Sequence, residues 1–435
     1  MMNRLFFLML FWYSSLFAQQ FFTVQNLDAV PTNASYFPIA QSGFTGYFSI
    51  APLVPSVAVS YDNSLMNIRT LLNPSSWGDL PNKVQKISQI DIASTAHVEL
   101  LQMGVRVAKN HSIRLHVSAK VSLETSVNKE FVNLVLNGNA PYLDKTVSIK
   151  IAAEALAYQE YLVGYTGNFL NSMLSIGANI KYLNATAYAD VAKTNISLYT
   201  HSDNYQLDIG GKILVQDAYP DFAKFKGFTN NHGFALDFGA KVRLGKFSLS
   251  LQGMNFGAIW FKDNAKVREN FGGTTQFAGV PVYWTDAADV NPPYINPENV
   301  LLDLANQLIP KNRSEIFHVS LPARLNFEFA YHLTPAHRFS LLYQDRLHYQ
   351  NQVQYIFGMG VSYTFTHRYV QATIGYHFFN KDYKRLGVGF AVNMGPLQWH
   401  LLTENVLGFI VHPMYHAELR TGFSWTFGWK KRQIS

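Results

Sequence analysis

The sequence predicts an all-β protein: a closed, antiparallel, up-and-down transmembrane β-barrel of 14 to 16 strands, with an N-terminal hatch-like segment and short helices in its loops. Three observations carry this prediction. Long runs alternate apolar and polar residues with a period of two, the mark of a strand whose faces see different surroundings. Charged residues make up only 14% of the chain, while aromatics reach 15% and mean hydropathy is -0.02. Soluble domains carry roughly 25% charge, so this balance implies outer surface with no water against it. Finally, the mature sequence offers no run of about 18 apolar residues, so strands rather than helices must span. Open strand edges in hydrocarbon would leave backbone groups without partners, which forces closure.

The chain divides into a signal peptide (1–18), the hatch-like segment (19–45), the barrel (46–429) and a C-terminal tail (430–435). Asn3 and Arg4, the apolar LFFLMLFWY and the stretch ending at Ala18 form a secretory signal too short to anchor. The first strand, near 46–61, is broken by Pro52 and Pro55. Residues 113–123 set Ile113, Leu115, Val117, Ala119, Val121 and Leu123 opposite Arg114, His116, Lys120 and Glu124. In 232–244, Phe234, Leu236, Phe238, Ala240, Val242 and Leu244 face away from Asp237, Lys241 and Arg243. Gly245-Lys246 then makes a two-residue turn into Phe247, Leu249 and Leu251.

The next strand reads as continuous from 317 to 333, with Phe317, Val319, Leu321, Ala323, Leu325, Phe327 and Phe329 on the lipid side and Arg324 and Glu328 inside. Runs at 353–365, 370–378 and 386–394 follow with short connections, a meander. The last strand places Ala417, Leu419, Phe423, Trp425, Phe427 and Trp429 opposite Glu418 and Arg420. Strands of 10 to 17 residues suit a tilted membrane crossing, which takes about 9 to 11. Residues 194–217 are either a hairpin of their own or an extension, which leaves the count between sixteen and fourteen.

An even number puts both chain ends on the periplasmic side, with tight turns near Asn110, Gly245, Pro335, His367 and Pro396. Among the long excursions, Asn296-Pro297-Glu298 caps a helix over NVLLDLANQLI, and 79–90 and 129–137 are weaker helices. The candidate lumen-lining residues are Arg114, Lys120, Glu124, Asp237, Lys241, Arg243, Arg324, Glu328, Glu418 and Arg420. Such inward charges either steer a solute or form paired walls.

Other chemistries find no support. There is no cysteine, hence no disulfide, zinc-thiolate site or cysteine nucleophile. The formal charge of +7 comes without a long basic run outside Lys430-Lys431-Arg432, which argues against nucleic acid; basic residues at anionic headgroups or in the lumen account for it. A nucleophile elbow, phosphate loop, zinc motif or paired helical carboxylates are not found, so no enzyme activity, cofactor or metal is expected. Gly358-x-Gly360 and Gly387-x-Gly389 sit inside strands, where they permit close packing or bending rather than phosphate binding. His412 and His416 flank Pro413 in a loop, the wrong geometry for a ligand pair.

NHGFALDFGAKVRL with GMNFGAIWF, LLTENVLGFIVHP before LRTGFSWTFG, and NLDAVPTNASYFP together resemble a Bacteroidota family of outer-membrane barrels of unknown function, itself similar to FadL and PorV. That family has Asn-Pro-Ala near the mature N-terminus where this chain has Thr32-Asn33-Ala34. The resemblance implies about fourteen strands with residues 19–45 in or beneath the lumen. It also implies an outer-membrane lipid environment and one of two roles. A FadL-like barrel would bind or pass a hydrophobic or amphipathic small molecule; the loop aromatics Phe271, Phe277, Tyr283, Trp284 and Tyr294 either form an entry surface for it or pack within the loops. A PorV-like barrel would dock secretion or surface proteins.

Overall fold

The computed structural model describes residues 22–28, 30, 31, 33, 37–40, 43–53, 56–65, 84–203, 206–220, 227–277, 313–347, 357–379, 382–407 and 415–428. They form a closed barrel of fourteen strands, each antiparallel to its neighbours. The first half comprises β1 (Gly46–Ile50 and Ser56–Asn63), β2 (Gln89–Ala108), β3 (His111–Asn128), β4 (Thr146–Ile149 and Ile151–Phe169), β5 (Leu174–Thr200), β6 (Leu207–Ala218 and His232–Leu244) and β7 (Phe247–Phe261 and Ala265–Phe277). The second comprises β8 (Arg313–Ser314, Phe317–Ser320 and Arg324–His332), β9 (His337–Arg346), β10 (Phe357–Thr366), β11 (Val370–Phe379), β12 (Asp382–Met394), β13 (Leu397–Thr403) and β14 (His416–Phe427). β14 closes the ring on β1, pairing Phe427 with Gly46 and Gly422 with Ser56.

Fourteen rather than sixteen results from how 188–218 folds. The far part of the 27-residue β5 pairs with Leu207–Ala218, which in turn pairs with Ala265–Phe277. These segments lengthen β5, β6 and β7 beyond the ring instead of adding members to it. Six short turns, at 109–110, 170–173, 245–246, 333–336, 367–369 and 395–396, lie at one end. The long connections lie at the other, with α2 (Lys129–Asn137) among them, while α1 (Phe22–Gln25) belongs to the N-terminal segment. α2 starts with Glu130 in its first turn and stops at Gly138, whose φ of 71° with ψ of -167° is a conformation open to glycine and strained for other residues. Of the described residues of the expected helix over 79–90, 84 and 85 are helical, and Gln89 already opens β2. Residues 79–83, the helix after Pro297, the signal segment 1–18, Trp429 and the tail lie outside the described residues. No described helix is long and apolar enough to cross a membrane.

The outward face is apolar all round. On β6, Phe234, Leu236, Phe238 and Leu244 are exposed while Asp237 is buried, as the alternation predicts. Aromatic clusters mark both rims of this face. Toward the short turns, His111 stacks on Tyr165 and His337 on Tyr363; toward the long loops, Tyr182 packs on His232 and Phe234.

One strand departs from its predicted faces. β8 is not continuous: Leu321-Pro322-Ala323 interrupts it, and Phe317, Val319, Leu321 and Ala323 are buried inside rather than facing out. Proline cannot donate to the ladder. Beyond the break the faces exchange, so Phe327 and Phe329 point outward again. β7 makes the matching exchange at a bulge, where Met254 and Asn255 oppose a single residue of β6. Below it Ser248, Ser250 and Gln252 are buried; above it Ile259 and Phe261 are buried and Trp260 is exposed.

Candidate functional site: the barrel interior

The interior holds three layers, each traceable to sequence. The first is a polar belt. Lys120 on β3 reaches Glu160 on β4 at 2.8 Å, and Lys181 on β5 reaches Asp237 on β6 at 2.8 Å. Lys181 also lies 3.9 Å from Glu160, which joins the two pairs. Asp237 accepts from the Asn179 amide at 2.9 Å, and Arg114 donates to Asn179 Oδ1 at 2.6 Å and to Thr166. Beside it, Glu99 lies 3.2 Å from His97, and Tyr47 OH is 3.0 Å from His116 Nε2. Buried ions are costly unless geometry and further hydrogen bonds compensate, and this belt supplies both.

The belt also fixes the β7 bulge. A bulge takes a backbone N–H out of the ladder. Here Asn255, in left-handed conformation at φ 59°, donates its N–H to Asp237 Oδ1 at 2.8 Å, and its side-chain oxygen accepts from Lys181 Nζ at 2.8 Å. Asn is among the few residues that adopt that conformation readily.

The second layer is apolar and sits on the long-loop side of the belt. Leu156, Leu183, Tyr188, Phe261, Phe317 and Val319 form its core. Tyr188 stacks on Phe261 with ring centres 4.9 Å apart, and Phe261 on Phe317 at 5.1 Å. The face exchanges in β7 and β8 put Phe261 and Phe317 there.

The third layer is the N-terminal segment, which lies against the inner wall. Val24, Leu27, Val30 and Phe37 are buried with Met254, Ala391 and Leu402. Thr23 N–H donates to Glu404 Oε1 at 2.7 Å, and Glu404 is also 2.8 Å from His377. Arg338 donates to the Asn26 carbonyl at 2.6 Å and pairs with Asp28 at 3.0 Å; Arg114 donates to the Pro38 carbonyl at 2.6 Å. Glycines let the segment approach. A Cβ on Gly387 would overlap Thr23, and one on Gly177 would overlap the Pro38 carbonyl. Gly389 lies under Leu27 and Gly239 under Ile39.

The ten predicted lumen residues all lie on the inward parity, yet they do not converge on one site. Lys120 and Asp237 join the belt through Glu160 and Lys181, and Arg114 through Asn179, partners that sequence reasoning missed because none stands in a run it singled out. Lys241 and Glu328 lie 3.9 Å apart, and Glu328 accepts from Ser250 at 3.3 Å. Glu124 pairs with Arg346 at 3.1 Å, and Glu418 is 3.9 Å from His416. Arg420 is fully buried, while Arg243 and Arg324 are half-buried. His416 is held by Asp62 at 3.2 Å; its expected non-partner His412 is outside the described residues. Phe271 and Phe277, expected in loops, belong by backbone to β7, and their side chains, with Tyr283, Trp284 and Tyr294, lie outside the described residues. No cluster of potential metal ligands occurs among the described residues.

No curated protein matches the sequence. Among solved structures, a FadL homologue of Pseudomonas aeruginosa is 9% identical with a TM-score of 0.47, covering 96% of this chain and 100% of the other. The toluene transporter TodX of Pseudomonas putida is 8% identical with a TM-score of 0.41, covering 95% of this chain and 96% of the other. At these values the likeness is one of general barrel form. The model of a family of unknown function (DUF5723) matches residues 38–404, from the end of the lumenal segment to the end of β13, and the chain belongs to that family.

Proposed function

We propose that this chain is exported by its first 18 residues, closes as a barrel in the bacterial outer membrane, and binds or passes a hydrophobic or amphipathic small molecule. The apolar layer inside the barrel carries this reading. A pore for polar solutes has a polar interior, whereas here Tyr188, Phe261 and Phe317 form an aromatic surface where a barrel strand's alternation would place polar groups. A second apolar patch, Leu27 and Phe37 against Met254 and Leu402, lies beyond the belt. In this reading the N-terminal segment is a hatch: its apolar packing on Met254 and Leu402 is supplemented by hydrogen bonds and ion pairs to Glu404, Arg338 and Arg114, all contacts that can exchange without unfolding the wall. The ten inward charges then act as wall and hatch supports.

A docking role for secretion or surface proteins is favoured by a different feature. The 27 residues of β5 far exceed the 9 to 11 that cross hydrocarbon, and the excess forms a projecting sheet with its own core of Val147, Ile149, Leu198 and Ile209. The two readings separate by mass spectrometry of organic extracts from protein purified gently out of its native membrane, with an unrelated barrel as control. Transport expects a specific apolar molecule, depleted in a Phe261→Ser/Phe317→Ser variant that still folds. A clean extract with co-purifying polypeptides would overturn transport in favour of docking.

A further inference from the structure

The six short turns and the strand ends beside them carry charge of one sign. Residues 106–113, 169–174, 242–248, 332–338, 366–370 and 394–397 include Arg106, Lys109, Arg243, Lys246, Arg338 and Arg368 and no aspartate or glutamate. The long-loop end mixes signs, as in Lys129 beside Glu130, Asp144 beside Lys145, and Lys262 beside Asp263. Of the six cations, Arg338 turns inward to Asp28, and Arg106 and Arg243 are half-buried. Lys109, Lys246 and Arg368 stand exposed in the turns themselves, and among the described residues no carboxylate pairs with them.

Each of these three adjoins outward aromatic rings. Lys109 precedes by two residues His111, which stacks on Tyr165 at 5.9 Å and meets Phe169 at 5.8 Å. Lys246 directly precedes Phe247, which packs on Phe329 at 5.9 Å and Tyr331 at 5.1 Å. The Arg368 guanidinium lies 5.2 Å over the Tyr369 ring. Amphipathic rings settle at headgroup depth, and cations beside them place their charge among the phosphates.

We infer that this rim is a binding surface for anionic phospholipid headgroups, with Lys109, Lys246 and Arg368 taking the phosphates and the adjoining rings the glycerol level. A soluble acidic partner would not require each cation to be backed by rings on the membrane face. The inference rests on the barrel's seating in a bilayer, not on what passes through it. The test is native mass spectrometry of the full chain released from nanodiscs containing equal phosphatidylglycerol and phosphatidylcholine. Wild type should retain phosphatidylglycerol preferentially, and Lys109→Gln/Lys246→Gln/Arg368→Gln should lose that retention by about fivefold per charge removed. Lys145→Gln/Lys150→Gln/Lys262→Gln, at the opposite end, should keep it; heat-modifiable gel mobility checks that both variants fold. Equal retention of the two lipids by wild type, or equal loss in both triple variants, would overturn the site while leaving the seating intact. A chain that stays monodisperse without detergent or lipid would overturn the seating itself.

Discussion

Lys181 is the residue through which the interior belt can be tested most directly. It is nearly fully buried and lies 2.8 Å from Asp237, 2.8 Å from Asn255 Oδ1 and 3.9 Å from Glu160. Removing one partner of a buried pair costs about 3 to 5 kcal/mol, because the other charge is left in low dielectric. In Lys181→Met, Glu160 keeps Lys120 at 2.8 Å, and Asp237 keeps Asn179 and the Asn255 N–H. The loss should therefore fall at the low end, about 3 kcal/mol. Asp237→Asn in the same chain removes the stranded charge and preserves the Oδ1 acceptor that the bulge needs, giving up only the hydrogen bond that Oδ2 accepts from the Asn179 amide. The double variant should then be more stable than Lys181→Met alone, with a coupling of at least about 1.5 kcal/mol in the cycle. Urea titration of protein folded into vesicles, read by tryptophan fluorescence and by heat-modifiable mobility, measures both. A loss under about 1 kcal/mol, or single effects that add to within about 0.5 kcal/mol, would refute a dry, coupled belt.

Two further outcomes follow from the walls. Phe238→Arg, on the outward face of β6, should cost about 2 to 4 kcal/mol if that position lies near the membrane midplane; an unchanged urea midpoint would refute the parity. Gly177→Val with Gly387→Val should displace the N-terminal segment, since each new side chain occupies the space of Pro38 or Thr23. Planar-bilayer conductance should rise toward that of a variant lacking residues 19–40, and a conductance equal to wild type would remove the hatch reading.

The barrel was legible because a two-faced strand declares itself in every second residue. Phe234 to Leu244 and Ala417 to Phe427 keep strict period, and the structure exposes and buries them accordingly. The strand number was less legible, since Asn195–Thr200 and Leu207–Ala218 alternate whether they extend existing strands or form new ones. Pairing partners, which alternation does not encode, decide it. The polar belt was half legible. Lys120 and Asp237 stood opposite apolar runs, but their partners Glu160 and Lys181 emerged only when β4 and β5 were set side by side. In-strand glycines such as Gly387 and Gly389 of β12 signal close packing or bending without saying which; the structure sets Thr23 and Leu27, more than 350 positions away, against them.

What alternation could not reveal is the apolar interior, and the reason is geometric. A one-residue insertion in a strand exchanges every face beyond it. The same Phe-x-Val-x-Leu pattern at 317–321 therefore looks outward in a straight strand and faces inward once Pro322 has broken the ladder. A neighbouring strand that kept its register would set Ile259 and Phe261 toward the hydrocarbon, opposite a partner facing the other way. β7 avoids that mismatch by bulging at Met254-Asn255, close to the level of the β8 break, so the two strands exchange faces together and still pair from Ala258 to Phe261. The bulge in turn requires an acceptor for the Asn255 N–H in a dry interior, and Asp237 provides it while Lys181 neutralises Asp237. The charged belt and the aromatic layer are thus parts of one arrangement: the ion pair holds the bulge, the bulge turns the strand, and the turned strand brings Phe261 against Phe317 and Tyr188. A chain that needed only to keep its lumen wet would have no use for this register exchange, which is why the proposed binding of an apolar molecule rests on the apolar layer more than on the ten charges.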